Sequence, residues 1–318
     1  MSDSLSLIAT HLLVPALFAL WMGKAQHRSR FEWGLEFVAF VAYTGFIFFT
    51  GRWGMLSIYL RYLAPILLGI AAVRSGRRFS RLPRFASLGR REVVRTCLLA
   101  FIICLTLPLL IITMLSLPAP TQAIDVEFPF RTGQLFYVAE GGPHVLLNRR
   151  ADRFETRYAT LLQNLDRFGR ARPDGATTHE DPANPGFVVY SPVDGVVEEW
   201  GATEGDTVES ASRTALSDSA SSALCDLTLR CADGVRLVVG GVEHSLVRGA
   251  QVKRGDVVGR IPSHRLVGDT GLWIHAYRSE STERVGVPLR FAGTYLMRNY
   301  LYQSNVAGSG HHRVSDGS

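Results

Sequence analysis

Hydrophobic positions follow two regimes along the chain, and the change comes near Pro118. Before it, apolar residues run in four long segments: Leu5–Met22, Leu35–Thr50, Met55–Val73 and Thr96–Leu117. The last is about 22 residues without a charge, enough as a helix to cross the ~30 Å hydrocarbon layer of a bilayer. The second is short and the third contains Arg61, but the four-residue link Gly51–Gly54 suits a tight helical hairpin. A single anchor plus buried soluble helices is the alternative, and it leaves much apolar sequence with little polar cover. Leu5–Met22 lacks a basic stretch before it and a small-residue cleavage site after it, so it reads as a retained helix rather than a signal peptide. Residues 1–120 are therefore expected to form an α-helical transmembrane bundle of about four helices.

Pro118–Pro120 stops the fourth helix and opens a linker. From Gln134 the pattern shortens to strands. QLFYVAEGG and HVLLN read as two strands joined by a glycine turn. ATLLQNLDRF has apolar residues at both helical and strand spacings, and its state stays open. FVVYSPVDGVVEEWG, LCDLTLRCADGVRLVVGG and HSLVRGAQVKRGDVVGRI are runs of short β elements, with Asp194-Gly195 and Asp233-Gly234 as turn dipeptides. Val247–Ile261 reads as a hairpin of a small β-barrel turning at Gly255-Asp256, and GVVEEWGATEGDTV repeats its pattern faintly. Residues 172–186 read as a loop, Glu204–Ala223 as a mobile loop or partly ordered lid, and 303–318 as a disordered tail with solvated His311 and His312. Residues 121–302 are thus expected to be an all-β domain.

Charge refines the first part. Residues 1–120 hold 13 Lys/Arg and 4 Asp/Glu, a balance of +9, while the whole chain is +6, which leaves about −3 for the rest. The basic character belongs to the apolar third and does not point to nucleic acid. Lys24, Arg28 and Arg30 lie between the first two segments, and eight arginines from Arg74 to Arg95 lie between the last two. Such links stay in the cytoplasm. The expected arrangement is a multi-pass protein of the bacterial inner membrane with everything after Pro118 in the periplasm or exterior. Arg61 is expected to face the bundle, pairing with Glu36 or reaching the lipid boundary. Cys225 and Cys231 can form a disulfide only if the chain bends between them, since six residues of strand span ~20 Å.

Two motifs carry a resemblance. YSPVDGVVEEWG and VRGAQVKRGDVVGRI, with the closing IHAYRS and VPLRFAGTYLMRN, are similar to the lysostaphin-like (LytM-type) peptidoglycan endopeptidases over roughly Gln134–Asn299. The resemblance implies a β-sheet core of the duplicated hybrid motif type. It also implies one zinc held by His, Asp and His, with a further histidine at the water, hydrolysing a peptide in the cell-wall cross-link. Three protein ligands leave a fourth position for that water.

At each place where the family puts these side chains, this sequence has something else. After HVLLN come Arg149 and Arg150. After Tyr158 comes Ala159-Thr160-Leu161-Leu162. The central strand ends in Leu237–Gly241, and the terminal His-x-His position reads Gly271-Leu272-Trp273. A guanidinium opposes a divalent cation, and Gly and Leu donate nothing. His144, Asp152, Glu243, His244 and His275 remain as donors for a rearranged site. No nucleophile elbow, phosphate loop or dinucleotide fingerprint occurs.

Three functions follow from this reading. In the first, the chain is a membrane-anchored, catalytically inactive relative without a metal or other cofactor. Its emptied groove (Arg149, Arg150, Trp273 and His275) would bind peptidoglycan or a cell-wall hydrolase, the arginines pairing with stem-peptide carboxylates and the tryptophan giving a flat apolar surface. In the second, displaced ligands hold zinc and the protein cleaves peptidoglycan cross-links. In the third, it is an envelope scaffold that acts through its helices.

Overall fold

The computed structural model describes residues 2–77, 79–86, 89–171, 186–202, 225–243, 246–262, 271–280 and 283–304. The chain divides into two compact units, Met1–Leu117 with Phe168–Arg170, and Pro118–Arg167 with Ala171–Ser318. Glu204–Ala223, most of the 172–186 loop and the tail from 305 onward lie outside the described residues.

The first unit is helical. Helices α1 (Ser2–Ile8) and α2 (Val14–Lys24) join through a π-turn, followed by α3 (Arg30–Thr50), α4 (Leu63–Gly76) and α5 (Arg90–Leu115). Four stretches, Leu5–Lys24, Arg30–Thr50, Ile58–Gly76 and Arg90–Leu115, are long and apolar enough to cross a membrane. Their outward side chains are greasy (Leu17, Leu20, Ile66, Ile70, Phe101, Leu105), and small residues such as Ala19, Ala39, Ala42 and Ala71 lie inside. This distribution suits a lipid solvent, where helices associate by close packing. At Gly45 a Cβ would stand 3.1 Å from the Leu110 side chain, so glycine sets the approach of α3 to α5.

Two boundaries differ from the apolar runs. Helix α3 begins at Arg30 because Ser29 caps it, accepting from the Glu32 amide at 3.2 Å, while the Glu32 carboxylate accepts from the Arg28 amide at 2.8 Å. The link after α3 is longer than Gly51–Gly54 and contains two 3-10 turns, Trp53–Met55 and Ile58–Tyr62. The expected partnership of Arg61 with Glu36 does not form. Arg61 lies over the rings of Phe48 (4.2 Å) and Tyr62 (5.1 Å). Glu36, fully buried, instead accepts from Arg95, from Trp21 Nε1 (2.9 Å) and bonds His27 Nε2 (2.7 Å). The reason is positional: Glu36 sits at the arginine-rich end of α3, and Arg61 is beside the opposite end of that helix, near Phe48.

The second unit is all-β. Its strands are β1 (Ile124–Val126), β2 (Leu135–Glu140), β3 (Thr160–Asn164), β4 (Phe187–Tyr190), β5 (Gly195–Ala202), β6 (Cys225–Arg230), β7 (Val235–Val242), β8 (Gln251–Val252), β9 (Val257–Ile261), β10 (Leu272–Glu280), β11 (Glu283–Val287), β12 (Leu289–Phe291), β13 (Thr294–Tyr295) and β14 (Leu301–Gln303). The main sheet runs β14-β2-β3-β10-β7-β6-β5-β8, with β11 also on β10; β1-β12-β13 and β4-β9 form two smaller sheets. One apolar core joins them, from the stacked rings of Phe130 and Phe136 (4.4 Å) through Leu227, Leu229, Leu237, Val239, Ile274 and Phe291.

Three sequence expectations change here. His144–Asn148 is a turn, not a strand. The amides of Leu147 and Asn148 both reach the His144 carbonyl (2.9 and 3.0 Å), and His144 Nδ1 accepts from the Leu146 amide. ATLLQNLDRF resolves as strand β3, whose Thr160–Gln163 are buried on both faces, which is why its apolar spacing was ambiguous. VRGAQVKRGDVVGRI is not a hairpin: β8 pairs with β5 and β9 pairs with β4. The turn between β8 and β9 is held by the segment between β4 and β5. The Gly255 amide donates to the Ser191 carbonyl (2.9 Å), the Ser191 amide to the Asp256 carbonyl (2.8 Å), and the Arg254 amide to Asp194 (2.7 Å). The two motifs form one bent antiparallel ribbon that passes from the main sheet to the small one. Cys231 carries a free thiol whose pKa burial pushes up to about 11, with Asp233 and Asp194 adding to the shift.

Candidate functional site

Strand β10 organises the site by alternation. Leu272, Ile274 and Ala276 enter the core, so Trp273, His275 and Tyr277 share the other face. Register then fixes their neighbours. Trp273 faces Leu161 of β3 and Gly240 of β7, and His275 faces Val238. On the next strand, Glu140 at a β-bulge of β2 is opposite Leu161.

The two arginines are placed by a side-chain cap. Buried Asn148 accepts from the Arg150 amide (2.9 Å) and donates to the carbonyls of Arg157 (3.0 Å) and Gly142 (3.4 Å), starting the 3-10 turn Arg149–Asp152. Glu140, 2% exposed, accepts from the Arg149 amide (3.0 Å) and from Arg149 Nε. Arg149 is thereby held by its inner edge while its side chain stays 55% exposed. The Arg150 guanidinium lies 4.1 Å from the centroid of the Trp273 ring. His275 is buried on the same face of β10 as Trp273, and its pKa is pushed down to about 4, first by burial and then by the Arg150 charge. Farther along β10, Arg284 covers Tyr277 (5.1 Å) and pairs with Glu155 (3.0 Å).

The four segments from which the resemblance takes its metal ligands therefore meet at one place, and what they bring is Arg149 and Arg150, Leu161, Gly240 and Trp273. These residues do not fit a zinc ion. Neither Leu161 nor the glycines offer a lone pair, and the arginines bring like charge. The surroundings of Gly271 and Gly240 also leave no room for a side chain. A Cβ on Gly271 would stand 2.6 Å from both Leu161 Cδ1 and the Leu162 carbonyl oxygen, and one on Gly240 would stand 2.8 Å from Asp226 Oδ1. Among the described residues no three His, Cys, Asp or Glu side chains are grouped to hold a metal. His144 is tied into its own turn, the Glu243 backbone pairs with that of Arg260, and His244 lies outside the described residues.

Three polar residues of the site escaped the sequence reading: Glu140, Asn148 and Asp226. Asp226 accepts from the Gly241 amide at 3.1 Å, and both its Oδ1 and the Trp273 Cβ crowd the space beside Gly240. The only signal for them was an acid or amide inside otherwise apolar text, LFYVAE, HVLLN and CDLTLR.

The Glu140–Arg149 pair is asymmetric, and this gives a test. Truncating Arg149 leaves a buried carboxylate with only a backbone donor, whereas truncating Glu140 leaves a guanidinium that water can reach. Arg149→Ala is expected to cost about 1–3 kcal/mol in urea unfolding, the lower part of the range reflecting solvent screening of a half-exposed arginine. Adding Glu140→Gln to Arg149→Ala should recover part of that loss.

No family model and no curated protein matches this chain. Among solved structures it is similar to pseudoalterin, described as an M23 metalloprotease from the deep sea, at 12% identity and a TM-score of 0.29, covering 51% of this chain and 74% of that one. It is similar also to a protein of Ruminococcus gnavus described as a LytM glycyl-glycine endopeptidase, at 13% identity and a TM-score of 0.29, covering 69% of this chain and 76% of that one.

Proposed function

We propose that this chain is a membrane-anchored, non-catalytic relative of the LytM-type endopeptidases. Its β unit binds a carboxylate-bearing cell-wall ligand, namely peptidoglycan stem peptide or an acidic surface of a cell-wall hydrolase. One observation carries the reading: where the resemblance calls for a zinc sphere, Arg150 lies over Trp273 with Arg149 anchored beside it by Glu140. A guanidinium stacked on an indole is held in one plane, and arginine is the side chain whose fork matches a carboxylate bidentately. Among the described residues of this arrangement, His275 is buried and flanked by Val238 and Tyr277, and the Glu140 carboxylate is buried and held by Arg149, so neither is placed to activate water. In this reading the arginine-rich links stay in the cytoplasm and the β unit faces the cell wall.

The test uses full-length protein in detergent and co-sedimentation with purified peptidoglycan. Arg150→Ala is expected to weaken binding roughly 10-fold or more, the scale of a lost charge-assisted hydrogen bond, and blocking the stem-peptide carboxylates by amidation should match it. Wild-type affinity in a folded Arg150→Ala, Trp273→Ala double variant removes this surface from consideration.

A further inference from the structure

The helical unit has a cavity of its own at the end where the basic links gather. It holds about 480 Å³, opens to the surroundings, and is lined by Lys24 at the end of α2, by Gln26 and His27 from the link after it, by Arg74 and Ser75 of α4, and by Leu82. The wall at Leu82 is fastened: Arg30 donates from Nε to the Leu82 carbonyl (2.9 Å) and from Nη2 to the Ser80 carbonyl (2.8 Å), and its amide donates to the Pro83 carbonyl (2.9 Å). Helices α2 and α4 approach closely here, since a Cβ on Gly23 would lie 3.9 Å from Ala71 Cβ. Lys24 follows Gly23 directly, Arg74 comes three residues after Ala71, and both line the cavity.

Charge counting shows what the cavity lacks. The two links, Lys24–Arg30 and Arg74–Arg95, carry eleven Lys and Arg, and the glutamates near them are Glu32, Glu36 and Glu92. All three are paired with groups other than Lys24 and Arg74, the cavity-lining His27 among them. Glu36 and Glu32 hold Arg95, Glu36 also holds His27 and Trp21, and Glu92 holds Arg28 (2.7 Å). Among the described residues no acidic side chain pairs with Lys24 or Arg74, and no acidic residue lines the cavity. Lys24 and Arg74 are exposed cations at the rim of this partly open polar cleft, placed to meet an anion from the surroundings. On the flank of the same helices, Leu17, Trp21, Ile70 and Val73 present apolar surface to the surroundings, where acyl chains would run.

We infer that this cavity is a binding site for a phosphate-bearing anion, with Lys24 and Arg74 as its charge partners and an anionic phospholipid headgroup as the source its position favours. Basic pockets between membrane helices have the chemistry for such headgroups, and cations at an anionic lipid surface contribute a few-fold each. The inference is independent of what the β unit binds.

Native mass spectrometry of the full-length protein in dodecylmaltoside tests it, with phosphatidylglycerol, phosphatidylcholine and inorganic phosphate as probes. Phosphatidylglycerol should be retained in preference to phosphatidylcholine. Lys24→Gln with Arg74→Gln should weaken that retention about 25-fold, from roughly fivefold per cation. The matched control, Arg81→Gln with Arg84→Gln, removes the same charge outside the cavity and should change retention less than about threefold. If inorganic phosphate alone binds, and the double variant abolishes it, the site stands and its occupant is a soluble phosphate. Equal losses in the double variant and the control, or no loss in either, would overturn the site and leave only diffuse attraction to the basic surface.

Discussion

Placing histidine at Gly271, where the resemblance calls for a metal ligand, will destabilise the β unit and will not create a zinc site. The expected cost is about 3 kcal/mol or more, at the upper end for overpacking, because one of the clashing atoms is backbone. A Cβ there meets the Leu162 carbonyl oxygen and Leu161 Cδ1, both at 2.6 Å, with Gln163 Cγ at 3.2 Å behind them. A flexible side chain can move aside, but the carbonyl belongs to β3, paired with β10 at Leu162 itself. Gly271→Ala should already incur most of the penalty, which separates the Cβ clash from the imidazole. Pulse proteolysis over a urea series measures both. A Gly271→His protein as stable as wild type would mean that the strands can part at this point, and that the ligand positions are empty rather than closed.

The second large effect is on acid stability. His275 is buried, and Nδ1 has no hydrogen-bond partner among the described residues. Its pKa is about 4 in the fold against an ordinary value of 6.5. The unfolded chain therefore takes up the proton from pH 6.5 downward, while the folded chain takes it up only near pH 4. The contribution of neutral His275 is complete above pH 6.5, falls as the pH drops towards 4 and is flat below. Across that window it amounts to about 3 kcal/mol. Amide exchange of the Leu272–Glu280 strand, corrected for intrinsic rates, should lose protection in step. His275→Phe keeps a ring in place without a titrating group and should flatten this part of the profile. A wild-type profile that matches His275→Phe between pH 4 and 6.5 would show that His275 titrates like an exposed histidine.

The helices were legible because length and apolarity are local properties of the sequence. Their ends were less so: α3 starts five residues before its apolar run because Ser29 and Glu32 cap it. Single strands such as LFYVAE and VRLVVGG were legible from composition. Their pairing was not, since the bend at Gly255-Asp256 is set by Ser191 and Asp194, some 60 residues away in sequence. HVLLN misled because Val145 and Leu147 alternate like a strand, yet Val145 is 49% exposed and the segment folds back through hydrogen bonds to His144. The site divides in the same way. That the positions the resemblance points to carry Arg, Leu, Gly and Trp could be read from residue types alone. That Arg150 lies over Trp273, that Glu140 holds Arg149 and that Gly240 and Gly271 have no space for a side chain all depend on register across β2, β3, β10 and β7.

The account rests on the convergence point of these strands being unable to hold a divalent cation. Zinc content of the full-length protein, measured by inductively coupled plasma mass spectrometry after incubation with excess zinc and gel filtration, tests that directly. The account expects far less than one zinc per chain, with no change on Arg150→Ala or His275→Phe. One tightly retained zinc per chain, lost in His275→Phe, would contradict it.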